Sequence, residues 1–170
     1  RKTLTGKKLK VAFPHMGTIY VVWASLINSL GGEAIIPPYS NKSTLSLGTK
    51  HSPEAICLPY KLVLGNFIEA IESGADMVVM ISSPGICRLG EYGKSIKNAL
   101  WDLGYKAKYM DIDLYKGKFS EMYNCLVRIT GVISPLKLIK GFNVALKKVF
   151  VLDRLENTLS YYRAREEQHG

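Results

Sequence analysis

The sequence predicts an α/β protein: an open sheet of about four mainly parallel strands, with flanking helices and a helical C-terminal tail. Three observations predict it. Short apolar runs alternate with longer segments of helical character, the order that builds parallel β-α-β units. Glycine or proline marks almost every junction between them. The run Met77-Val-Val-Met-Ile81 is apolar throughout, as suits a strand covered on both faces of a sheet.

Lys8 to Phe13 reads as the first strand and Pro14-His15-Met16-Gly17 as its exit turn. Thr18 to Leu30 is a helix too densely apolar to stand exposed, and Gly31-Gly32 stops it. Glu33 to Ile36 is a short second strand ended by Pro37-Pro38, completing a unit whose crossover should be right-handed. A less regular insertion follows. Ser43 can cap a short helix through Leu47, ended by Gly48. Ser52-Pro53-Glu54 has the pattern of another helix start. Pro59 opens a longer helix through Glu72, closed by Gly74, whose Asn66 and Glu69 read most simply as its polar face.

The third strand, from Met77, breaks at Ser82-Ser83-Pro84-Gly85 and delivers Cys87 before a helix from Glu91 to Leu103. Tyr105 to Ile112 alternates apolar residues with lysines and reads as a fourth strand near the sheet edge. Phe119 to Thr130 is helical and carries Cys125, and Pro135 to His169 is a long, mostly helical tail. The boundaries drawn are a basic lead-in at 1–8, an α/β domain at 9–132 and a C-terminal helical segment at 133–170. The last segment ends as though a second half were to follow.

The length suffices for one domain with a substantial core. The net charge of +9 invites an anionic partner, but Arg1, Lys2, Lys7, Lys8 and Lys10 supply five of those charges, and without them the excess falls to +4. A solvated arm explains them as simply as a phosphate-seeking one. No aromatics interleave with these charges, so nucleic acid is not the expected partner. No apolar run reaches the length of a membrane span, and no export signal opens the chain, so a cytoplasmic location is the expectation. Both the Gly-x-Gly-x-x-Gly turn and the Gly-x4-Gly-Lys-Ser/Thr loop are missing, which disfavours an ATPase.

Three cysteines at wide spacing, Cys57, Cys87 and Cys125, do not make a disulfide framework in a chain of this kind. They are either buried thiols or ligands to a soft metal. Cys57 and Cys87 share a setting, each in a Pro-containing loop before a helix start, where the positive helix end favours a thiolate. Cys125 lies beside Leu126, Val127 and Ile129, the setting of a packing residue. Lys61 and Arg88 can neutralise an anionic group or serve as plain surface charge. His15, in the first exit turn, is a proton carrier, a ligand or an ordinary loop residue. Zinc held by Cys57, Cys87 and a histidine such as His15 satisfies the softness rules.

Several motifs fall in one order: Phe13-Pro-His-Met-Gly17, Pro37-Pro38, Thr44-Leu-x-Leu-Gly48, His51-Ser-Pro-Glu-x-x-Cys-x-Pro-x-Lys61, Leu64-Gly-Asn-Phe-Ile-Glu69, Gly74-Ala-Asp76 and Pro84-Gly-x-Cys-Arg-x-Gly-x-Tyr-Gly93. Over residues 9 to 112 the chain thereby resembles the acyl-CoA dehydratase activase-related proteins. Those are similar to the iron–sulfur subunits of 2-hydroxyacyl-CoA dehydratases and to double-cubane cluster proteins.

The resemblance implies a Rossmann-like half-unit, an iron–sulfur cluster of 4Fe-4S or double-cubane type, and a place in anaerobic metabolism. It implies an ATP-dependent activase as electron donor, an acyl-CoA-like substrate, and a homodimer or second half to complete the site. By position, Cys57 and Cys87 match the family's loop cysteines and become ligands, with Cys125 a third ligand that no motif supports. Arg88, Lys61 and His15 join the expected cofactor surroundings. A thiolate cluster takes four ligands, so three cysteines leave an iron position open to substrate or to another chain. Glu91 stands where the family often has an aromatic residue. The expected function is thus an iron–sulfur electron-transfer component, or a reductase or dehydratase subunit. The rival is a non-catalytic α/β binding or regulatory module with reduced, metal-free cysteines.

Overall fold

The computed structural model describes residues 9–82, 91–113, 123–124, 126–127, 129 and 134–166. In chain order the elements are β1 (Lys10–Ala12), α1 (Ile19–Ser29), β2 (Glu33–Ile35), α2 (Lys42–Lys50), α3 (Leu58–Glu72), β3 (Met77–Ser82), α4 (Tyr92–Asp102), β4 (Lys108–Asp113) and α5 (Pro135–Arg163). The four strands form one parallel sheet in the order β2-β1-β3-β4. The α/β class and the parallel sheet are as the sequence predicts.

Strand periodicity divides the core in two. Val11, Met77 and Val79 face one side, where α1 supplies Leu26 and Ile27, its C-cap supplies Leu30 and α5 supplies Ala145. Ala12, Val78 and Met80 face the other, beneath Leu64, Phe67 and Ile68 of α3 and Ile96 and Leu100 of α4. Successive strand residues point to opposite faces, so the apolar run at β3 fills both layers at once. Each large side chain buried in this way contributes about 1.5–3 kcal/mol relative to an exposed one.

The chain steps outward from β1 to β2, then returns across β1 to place β3 on its other side. At that reversal α1 leaves for one face and α4 for the other. Ligands of open α/β sheets settle outside the carboxyl ends of the strands at such a switch point.

Several boundaries differ from expectation for local reasons. α2 is capped by Asn41, whose side chain accepts from the backbone N–H groups of Ser43 and Thr44 while the Thr44 hydroxyl accepts from Asn41 N–H. It runs through Gly48 instead of stopping there, because the missing side chain admits α3: a Cβ on Gly48 would stand 1.7 Å from the Lys61 carbonyl oxygen. Ser52-Pro53-Glu54 starts no helix and forms a turn closed by Ile56 N–H on the Pro53 carbonyl. β4 begins at Lys108, three residues later than expected, because Tyr105 N–H is engaged by the Leu100 carbonyl in closing α4. β3, its partner in the sheet, begins at Met77 and pairs that residue with Lys108.

α5 spans 29 residues, roughly 43 Å at 1.5 Å per residue. Leu138, Phe142, Ala145 and Leu152 pack toward α1, and Thr18 donates to the Glu156 carboxylate. Its other sides leave Leu136, Ile139, Phe150, Val151 and Leu155 exposed. Among the described residues no helix is long and apolar enough to cross a membrane.

The tyrosines make the fold sensitive to alkali. Burial, then the carboxylate of Asp111, pushes the Tyr109 phenol well above its ordinary value of 10.0. Tyr105 is also raised, by burial and by its 2.8 Å hydrogen bond to Glu72. A raised folded-state value holds its full stabilisation below pH 10 and loses it as pH climbs past the unfolded value. Far-UV circular dichroism should therefore show stability falling between pH 10 and 12. Tyr109→Phe should flatten that fall.

Candidate functional site

Two groups of segments lie at or above the carboxyl edge of the sheet: the β1 and β2 exits, joined to α3 at Asn66, and the start of α3, joined to the start of α4. The β1 exit, Phe13 to Gly17, turns at Gly17, whose φ of 62° lies in the left-handed region open to glycine. His15 donates its backbone N–H to Asn66 Oδ1 at 3.1 Å. Its ring Nε2 lies 2.6 Å from the Pro37 carbonyl oxygen, so that nitrogen carries the proton and donates. The ring stacks on Tyr39 at 5.2 Å and meets the edge of Tyr20 at 4.6 Å. The Tyr20 and Tyr39 hydroxyls are 3.0 Å apart. His15 thus ties the exit of β1 to that of β2.

Asn66 is the residue that sequence reasoning missed. It is fully buried in α3, accepts from His15 N–H and exchanges hydrogen bonds with the Ser40 hydroxyl. It is a clamp on both exit loops, not part of a solvated face. The signal was present in the sequence: Asn66 interrupts Leu62-Val-Leu-Gly and Phe67-Ile68, so both helical neighbours and the preceding turn are apolar. Glu69 likewise turns inward and accepts from the buried Thr44 hydroxyl at 2.9 Å.

Cys57 is the residue before the first turn of α3, with extended backbone and an exposed side chain that makes no cap bond. Its Sγ is the hydrogen-bond partner of the Tyr92 hydroxyl. Tyr92 opens α4 and is 3% exposed, its ring set edge-on to Tyr60 at 5.0 Å. Tyr60 is fixed in turn by a 2.9 Å bond between its hydroxyl and Ser95 Oγ. Next in α4 is Gly93, where any side chain would strike the Asp111 carboxylate. That places an anion against the first turn of α4, where the helix dipole favours it.

Lys61 donates to the Glu54 carbonyl at 3.3 Å and so holds the Pro53–Cys57 loop to α3. His15 and Cys57 are not brought together. The His15 N–H meets α3 at Asn66, nine residues and about 13 Å along the helix from Cys57, and its ring is directed to Pro37. Cys87, Arg88 and Cys125 lie outside the described residues. Among the described residues no three His, Cys, Asp or Glu side chains gather as a metal site, and Cys57 is the one cysteine there.

The family described as the CoA enzyme activase uncharacterised domain matches residues 13–107, more than half of the chain. The chain belongs to that family. Its matched span runs from the β1 exit to the residue before β4, and therefore takes in His15, Cys57, Lys61, Cys87 and Arg88. Cys125 and α5 fall outside it. The activase-related likeness seen in the motifs is thus the chain's family. No curated protein matches the chain at a significant level.

Proposed function

We propose that this activase-family chain is an iron–sulfur electron-transfer component, with Cys57 and Cys87 among the cluster ligands. It would work with an ATP-driven activator on an acyl-CoA-like substrate. One observation carries the reading. Cys57 Sγ bonds to Tyr92, which follows Cys87 by five residues, so the α3 start is joined to the helix that comes after Cys87 in the sequence.

The donor chemistry at Cys57 suits one ligand of such a group: an exposed thiol at the amino end of a 15-residue helix, beside a hydroxyl. A bound cluster would supply a low-potential one-electron carrier. The residues around it would orient the sulfur and hold its loop, Tyr92 through the hydroxyl and Lys61 through Glu54. His15 and Asn66 would keep the neighbouring exits rigid without touching the metal.

Anaerobic reconstitution with iron and sulfide tests this. The expected result is a brown chain with broad visible absorption, lost in both Cys57→Ser and Cys87→Ser. A colourless chain after reconstitution refutes it. The second reading, a binding module with bare thiols, is favoured by one observation: His15, Lys61 and Asn66 are already engaged in holding loops together.

A further inference from the structure

We propose that the outward face of α5 is a docking surface for an acidic amphipathic helix. Leu138, Phe142, Ala145 and Leu152 hold α5 toward α1. Turned away from them, Leu136, Ile139, Asn143, Leu146 and Phe150 follow one another at alternating steps of three and four residues. That spacing draws a continuous seam along a helix, the pattern of the core positions of a two-stranded coil. The four apolar members are each more than half exposed, and Asn143 is exposed with them. α5 lies outside the span matched by the family, so the surface belongs to this chain and not to the shared domain. It is independent of the cysteines.

Charge decides what kind of partner fits. Lys140, Lys147 and Arg154 stand at seven-residue intervals along one flank of the seam, all exposed. From 135 to 152 the helix carries Lys137, Lys140, Lys147 and Lys148 and no acid. Residues flanking the seam of a coiled pair make the ion pairs that select the partner. A facing helix with an apolar seam and Glu or Asp beside it is therefore the complement. A second copy of this chain is not: the same stretch offers no acid, and Asp153 takes the next seam position instead of a flank. Asn143, polar among apolar positions, sets the register by requiring a hydrogen-bonding residue opposite it.

The test is fluorescence anisotropy with a labelled synthetic peptide of three heptads, titrated with the full chain. The peptide carries Leu at the seam positions, Asn at one of them, and Glu on both flanks. The expected result is saturable binding that weakens as salt rises. Leu146→Ser with Phe150→Ser should abolish it; both side chains are exposed, and unchanged circular dichroism confirms the fold. Lys140→Glu with Lys147→Glu should weaken binding about tenfold and let the chain bind the same peptide with Lys in place of Glu. Lys94→Glu, on α4 at the opposite face of the sheet, alters the charge away from the seam and should leave binding in place.

No binding of the acidic peptide, or equal binding by the unaltered chain and the Leu146/Phe150 variant, overturns the proposal. Capture by phosphatidylglycerol vesicles without peptide binding also overturns it and assigns the face to an anionic membrane surface. A dimer in sedimentation velocity that the Leu146/Phe150 variant lacks overturns it in favour of a second copy.

Discussion

Gly65→Ala and Gly48→Ala should each lower folding stability by about 2–3 kcal/mol, read as a drop in the urea midpoint at unchanged slope. The two glycines form the seam between α2 and α3. A Cβ on Gly65 would lie 2.2 Å from the Thr44 carbonyl oxygen, and one on Gly48 would lie 1.7 Å from that of Lys61. Both obstacles are backbone atoms of the facing helix, so no side-chain rotation relieves them. The helices must separate, and separation stretches the bond from the buried Thr44 hydroxyl to Glu69. Replacing glycine by alanine inside a helix gains about 1 kcal/mol of intrinsic propensity. The collision outweighs that gain. The double variant should lose less than the sum, because one movement of α2 away from α3 relieves both contacts. Equal or greater stability in Gly65→Ala would leave propensity as the governing effect and contradict the close approach.

Asn66→Asp should be tolerated in acid and poorly tolerated at neutral pH. The side chain has no solvent exposure, accepts from His15 N–H and donates to Ser40. An aspartate there keeps the acceptor and loses the donor, and burial pushes its folded-state value above the ordinary one near 4. Because the folded value is the raised one, the protonated form supports the fold below pH 4 and support is lost as pH rises through the folded value. Unfolding midpoints of Asn66→Asp and the unaltered chain should lie closest together at low pH and diverge toward pH 7. Asn66→Ala, which strands His15 N–H without its acceptor, should cost about 2–3 kcal/mol with no such pH dependence. Parallel pH profiles for Asn66→Asp and the unaltered chain would show that position 66 reaches water.

The α/β class was legible because its signals are local. The alternation of apolar runs with helical segments, the glycine at position 74 and the continuous run at β3 all act over a few residues. Gly48 shows where local reading fails. The absence of a side chain ends a helix in one context and admits a second helix in another, and only the position of α3 decides between them. The same holds at the site. Pro59 in the first turn of α3 placed Cys57 before a helix start, and it stands there. That Tyr92 would be delivered to its sulfur depends on how α3 and α4 lie together on the sheet, through Tyr60, which no spacing along the chain encodes. His15 reads from the sequence as a loop residue, yet its partners, Asn66 and Pro37, come from distant segments that converge only in the folded chain.

The strand order also governs when the centre of the sheet can be completed during synthesis. β1 is three residues long and is bonded on both sides, to β2 and to β3. As the chain emerges, β1, α1 and β2 are available first, and the edge of β1 reserved for β3 stays open while all of α2 and α3 is made. The contacts that join α2 to α3 are local by comparison and can form in that interval. A preassembled helical pair can then receive β3 beside β1, which closes the middle of the sheet before β4 is added at its edge.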